Sequence, residues 1–129
     1  MKKKILLVDD SRTSLFLERT LLRDGPYDLI EASDGAQAVE KAQAEHPDLI
    51  LMDMMMPRMD GLEALKKIRE GEATRAIPVI MVTTRSEVDR VETAYQIGCT
   101  DYVTKPVEQG ELLKKVRSIL GEAREVAHD

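Results

Sequence analysis

The sequence predicts an α/β fold, a doubly wound five-stranded parallel sheet with helices on both faces. Strand-like and helix-like patterns alternate along all 129 residues, as βαβ units require. The strand candidates are short apolar runs such as Ile5–Val8, Leu49–Met52 and Val79–Val82. Such unbroken runs suit strands buried on both faces of a parallel sheet. Each run also hands over a polar residue. Val8 is followed by Asp9 and Asp10, Met52 by Asp53, Val82 by Thr83, and Thr104 by Lys105 and Pro106. Parallel strands end at one edge, where open α/β sheets bind ligands, so these residues should share one pocket.

The elements follow in order. After the first strand, Ser11 can cap a helix reaching about Asp24, with Leu15, Phe16, Leu21 and Leu22 facing inward and Gly25-Pro26 ending it. Tyr27 to Glu31 reads as a second strand. Ser33 or Asp34 caps the next helix, on which Ala36, Val39 and Ala42 form a narrow stripe. Pro47 precedes the third strand. Residues 54–61 form a loop, and Asp60 caps a third helix that turns Leu62, Leu65 and Ile68 inward. Pro78 opens the fourth strand. Ser86 and Asp89 resemble a capping box starting a fourth helix with Val88, Val91 and Tyr95, and Gly98 ends it. Thr100 to Thr104 is the fifth strand. The last helix carries Leu112, Leu113, Val116, Ile119 and Leu120, the clearest amphipathic stripe in the chain, and Gly121 stops it. Residues 1–121 are therefore expected to form one domain, and 122–129 a tail or helix extension.

Composition narrows the function. Aromatic residues are only 3% with no Trp, which disfavours base-stacking surfaces, and a net charge of −5 disfavours a phosphate backbone as partner. No nucleic-acid partner is expected. The single Cys99 cannot form an internal disulfide and reads as a small buried hydrophobe. The apolar stretch after Lys2-Lys3-Lys4 is too short for a signal peptide, and no run is long enough for a membrane span. A cytoplasmic location without membrane insertion is the expectation. Nucleotide-binding glycine loops are absent too, so a phosphoryl donor would be a protein or a small phosphodonor.

Three carboxylates in one pocket need compensation. Two of them about 4 Å apart at an effective dielectric near 20 repel by roughly 4 kcal/mol. Lys105 supplies one positive charge, which leaves a deficit against Asp9, Asp10 and Asp53. Hard oxygen ligands at a strand edge suit Mg²⁺, with Mn²⁺ an alternative, and leave coordination positions for phosphoryl oxygens. The methionine run 54–56 reads as loop packing, because thioethers do not suit that ion.

These motifs together resemble a response-regulator receiver domain of the CheY-like kind. Val-Asp-Asp at 8–10, Leu-Met-Asp at 51–53, Met-Pro-Arg-Met-Asp-Gly at 56–61, Val-Thr at 82–83 and Asp-Tyr-Val-Thr-Lys-Pro at 101–106 carry the resemblance, which runs from about residue 3 to 120. It implies a flavodoxin-like sheet of strand order 2-1-3-4-5. It also implies that Asp53 accepts a phosphoryl group, assisted by Lys105 and Thr83. Asp10, Asp53 and the backbone carbonyl of Met55 would hold Mg²⁺ directly and Asp9 through water, and the Lys105–Pro106 bond would be cis.

The resemblance further implies a switch in which Thr83 moves toward the phosphoryl group and Tyr102 rotates into the space it vacates. The surface of the fourth helix, fifth strand and fifth helix would then change shape and bind an output protein. Met55, Thr84 and Arg85 flank the site and are expected to set the lifetime of the phosphorylated state. The protein would be phosphorylated by a sensor histidine kinase and catalyse only its own phosphorylation and dephosphorylation. Chemotaxis or motility is one setting for such a switch. With no output module after residue 121, a stand-alone regulator is expected, as a monomer or a phosphorylation-dependent dimer. The alternatives are a phosphorelay intermediate that passes the group to a His phosphotransfer protein, or the receiver fragment of a longer regulator. A haloacid-dehalogenase-type hydrolase is disfavoured because the first-strand acids are adjacent instead of Asp-x-Asp.

Overall fold

A computed structural model describes residues 2–121; the tail or helix extension expected over 122–129 lies outside the described residues. Its strands are β1 (Lys3–Val8), β2 (Tyr27–Ala32), β3 (Leu49–Asp53), β4 (Val79–Thr83) and β5 (Asp101–Thr104). They pair in parallel in the order β2-β1-β3-β4-β5. The helices are α1 (Arg12–Leu22), α2 (Gly35–Glu45), α3 (Gly61–Glu70), α4 (Val91–Ile97) and α5 (Gln109–Leu120). The doubly wound sheet and its strand order are therefore those anticipated.

Alternation along the central strands divides the core. Leu6, Val8, Ile50, Met52 and Met81 point to the face covered by α2, α3 and α4. Ile5, Leu7, Leu51, Ile80 and Val82 point to the face covered by α1 and α5. With both faces covered, β3 and β4 are buried at every position, which is why they read as continuous apolar runs.

Several helix faces differ from expectation. Phe16 is 67% exposed; the buried side of α1 is Leu15, Glu18 and Leu22, spaced i, i+3, i+7. Phe16 is one position, or 100°, past Leu15 and so turns away from the sheet. On α2, Asp34 is the cap and Gly35, Ala38 and Ala42 are buried, whereas Ala36 is exposed and Val39 half-buried. The fourth helix does not begin at Ser86. Residues Arg85–Arg90 form a 3₁₀ turn, and the box pairs Thr84 with Glu87, whose carboxylate accepts the Thr84 N–H at 3.4 Å. The tighter 3₁₀ turn breaks the single stripe expected over this stretch, and Val88 and Tyr95 are exposed while Val91 is buried.

Two features fix α3 against the sheet, the first at the edge where the strands end and the second at the opposite edge, where β4 and β5 begin. Gly61 starts α3 where a Cβ would lie 2.2 Å from the Asp53 carbonyl oxygen, so only glycine allows this approach. Arg69 of α3 donates to the carbonyls of Gly98 (2.8 Å) and Ile77 (2.7 Å), tying the end of α4 and the approach to β4 to one side chain. Gly98 caps α4 at φ 126°, where an L side chain would be strained.

Candidate functional site

Each polar residue sits where its strand runs out. Asp53 is the last residue of β3 and Thr83 the last of β4, while Asp9 and Asp10 follow β1 and Lys105 follows β5. Parallel pairing brings these ends together. Lys105 Nζ lies 3.2 Å from Asp9 Oδ2 and 3.2 Å from Asp53 Oδ1. Asp9 is buried, and its Oδ1 accepts the Ser11 N–H at 2.8 Å, which ties it to the start of α1. Asp10 is exposed. One carboxylate oxygen from each of Asp9, Asp10 and Asp53 lies within 4.8 Å of the others. That spacing and the hard oxygen donors fit a divalent cation such as Mg²⁺.

The electrostatics reflect the crowding. Burial, then the Asp9 charge, pushes the Asp53 carboxyl up to about 6, against the opposing pull of Lys105. Burial works against the Lys105 charge, but Asp53 and Asp9 outweigh it and hold the ammonium above the usual lysine range. Three carboxylates against one ammonium leave an acidic excess at this edge.

The Thr83 side chain is fully buried, and its hydroxyl donates to the Thr84 carbonyl at 3.1 Å. Tyr102 on β5 is half-buried against the α2–α4 side of the core. Its ring meets Tyr95 edge-on, with centroids 6.5 Å apart, and Lys115 Nζ lies 5.2 Å from its centroid. Lys115 also pairs with Asp101 at 3.2 Å, so α4, β5 and α5 are joined through this aromatic pair. The Lys105–Pro106 peptide is cis.

At the rim, Met55 is 48% exposed and Thr84 half-buried, with its hydroxyl 2.9 Å from that of Ser86. Arg85 is exposed. The guanidinium that reaches Met55 belongs instead to Arg90, which donates to Met55 Sδ at 2.9 Å and to Asp60 Oδ2 at 3.3 Å. Asp60 also caps α3, accepting the Glu63 N–H at 3.0 Å.

Sequence reasoning missed Glu18. It is only 2% exposed, and its Oε1 has no hydrogen-bond partner among the described residues. Burial, then the Asp9 charge, pushes its carboxyl up to about 8, with Lys105 pulling the other way. The signal was present: a charged residue lies midway between Leu15 and Leu22 on the core face of α1. Taking Phe16 as inward hid that phase.

Acids at two strand ends, bridged by a lysine from a third, define a receiver-type site on a doubly wound sheet. Residues 5–117 match the family described as the response regulator receiver domain, and the chain belongs to that family as the receiver domain of a two-component response regulator. Over 120 residues it is 39% identical to the alkaline phosphatase synthesis transcriptional regulatory protein PhoP of Bacillus subtilis, covering 93% of this chain and 49% of PhoP. The polar-differentiation response regulator DivK of Brucella ovis is 36% identical over 123 residues, covering 95% of this chain and all of DivK. The chain thus spans about half of one relative and the whole of another. Among solved structures, the receiver domain of sensor histidine kinase PA1611 from Pseudomonas aeruginosa superposes with a TM-score of 0.86 at 33% identity, covering 94% of this chain and 99% of that one. That structure has a magnesium ion coordinated in its active-site cleft. Among the described residues, no helix is long and apolar enough to cross a membrane.

Proposed function

We propose that this domain is a phosphorylation switch in which Asp53 takes a phosphoryl group from a sensor histidine kinase. The observation that carries the reading is Lys105 bridging Asp9 and Asp53 at 3.2 Å each, beside a third carboxylate. Asp10, Asp53 and the Met55 carbonyl would hold Mg²⁺, with Asp9 acting through water. When bound, the ion neutralises negative charge gathering on the transferring group. An Asp53 carboxylate oxygen forms the new bond to phosphorus as the P–N bond of a phosphohistidine breaks. The bonding pair leaves with the imidazole, which then takes a proton. Lys105 donates to a phosphoryl oxygen, the kind of charge placement on which phosphoryl transfer mainly depends.

The phosphoryl group then offers strong acceptor oxygens to the Thr83 hydroxyl. Drawing that hydroxyl away from the Thr84 carbonyl opens space beside β4, and Tyr102 turns into it. Tyr102 carries Tyr95 and Lys115 with it, so the α4-β5-α5 surface changes and presents itself to an output protein. The match covers all of DivK and about half of PhoP, and the chemistry proposed here is the same for a domain acting alone and for a receiver within a longer regulator.

Amide NMR spectra before and after a small phosphodonor with Mg²⁺ test the switch. The expected result is large shifts at Thr83 and Tyr102 and across α4 and α5. Shifts confined to the loops around Asp53 would contradict it.

A further inference from the structure

Glu18 is a buried acid for which the phosphoacceptor chemistry above has no use. It stands on the core-facing stripe of α1 between Leu15 and Leu22, where helix periodicity calls for an apolar side chain. Among the described residues its buried Oε1 has no partner, an arrangement that folded proteins seldom keep without a reason. Breaches of a local rule of this kind cluster at functional sites. Glu18 also shares a cavity of about 290 Å³ with Lys105, and Ser14, Leu17, Leu21 and Pro106 supply most of the remaining wall.

The Lys105 ammonium lies 3.2 Å from Asp9 and from Asp53, and the Mg²⁺ site proposed above uses both, Asp53 directly and Asp9 through water. A divalent ion and an ammonium cannot share those oxygens without strong repulsion, so Lys105 must draw back as the ion enters. Its flexible stem can turn into the neighbouring cavity, but an ammonium there needs an acceptor. The unpartnered Glu18 oxygen provides one.

We propose that Glu18 is a positioning residue for Lys105, receiving its ammonium when a divalent cation takes over Asp9, Asp10 and Asp53. Lys105 then has two stations, one at the acids and one at Glu18, and a phosphoryl group on Asp53 draws it back to the first. The inference rests on the reading of the acidic cluster as a Mg²⁺ site.

Titration calorimetry with Mg²⁺ alone tests it on four proteins: wild type, Glu18→Leu, Lys105→Met and the double variant. Glu18→Leu is expected to weaken Mg²⁺ binding roughly tenfold, within the range of coupling between neighbouring residues. In the Lys105→Met background the same change should alter affinity less than about twofold, because no ammonium remains to be received. Glu18→Gln keeps a carbonyl acceptor and should fall between wild type and leucine; it carries the same comparison if the leucine variant misfolds. Wild-type affinity in Glu18→Leu, or an equal loss with and without Lys105, would overturn the proposal. Mg²⁺ binding in none of the four would overturn the metal-site reading, and this inference with it.

Discussion

Single residues at this site have ionised forms that their surroundings oppose. Glu18 shows this most plainly, because its carboxyl is pushed from 4.5 up to about 8 by burial and by Asp9. Its proton is held in the folded state and lost in the unfolded state between those values. The folded protein therefore binds more protons in that window, and stability falls as pH rises through it. Asp53 adds a similar slope, but only between 3.8 and about 6. In the absence of divalent ions, chemical denaturation between pH 6 and 8 should show stability dropping by on the order of 1 kcal/mol per pH unit in wild type. Glu18→Leu should remove most of that drop; an unchanged slope would mean that Glu18 is ionised in the fold. At the rim, Met55 is 48% exposed and its thioether donates no hydrogen bond. Exchanging Met55→Asn and Arg85→Glu together should change dephosphorylation several-fold, measured as loss of phosphoprotein after donor removal. An unaltered decay would leave lifetime control to other residues, with Arg90 the next to test because it holds both Met55 and Asp60.

Among the elements, strands and caps were legible in the sequence and helix phases less so. The strands are short apolar runs whose polar successors mark where they stop, so β3 and β4 could be placed almost to the residue. Caps are local chemistry as well: Ser11, Asp34 and Asp60 each accept an N–H three residues on. The inward face of a weakly amphipathic helix depends on how it docks. α1 and α2 therefore turned out rotated from the expected stripes, with Phe16 and Ala36 outside. The 3₁₀ turn at Arg85–Arg90 was illegible for a different reason, since its polar sequence carries no period to read. The link from α3 to α4 depends on Arg69, whose charged donors meet carbonyls 29 and 8 residues away. Charge-assisted bonds of this kind contribute about 1.5–3 kcal/mol each, so Arg69→Ala should cost roughly 2–4 kcal/mol in a denaturant midpoint series. A loss below about 0.5 kcal/mol would place Arg69 among ordinary surface residues.

For the whole molecule, topology turns a scattered sequence into a site. Asp9 and Lys105 are 96 residues apart, yet they form an ion pair because β1, β3, β4 and β5 are parallel and end at one edge. That convergence could be read from the strand ends alone, together with the need for a compensating cation. The role of Glu18 could not, since it depends on α1 packing against the β5–α5 connection. The central claim is that Asp53 forms a covalent bond to phosphorus. Its most direct test is peptide mapping by mass spectrometry after incubation with acetyl phosphate, with and without Mg²⁺. The account predicts one added phosphoryl group on the peptide bearing Asp53, dependent on Mg²⁺ and lost in Asp53→Ala. An unmodified protein, or a phosphoryl group on another residue, would contradict it.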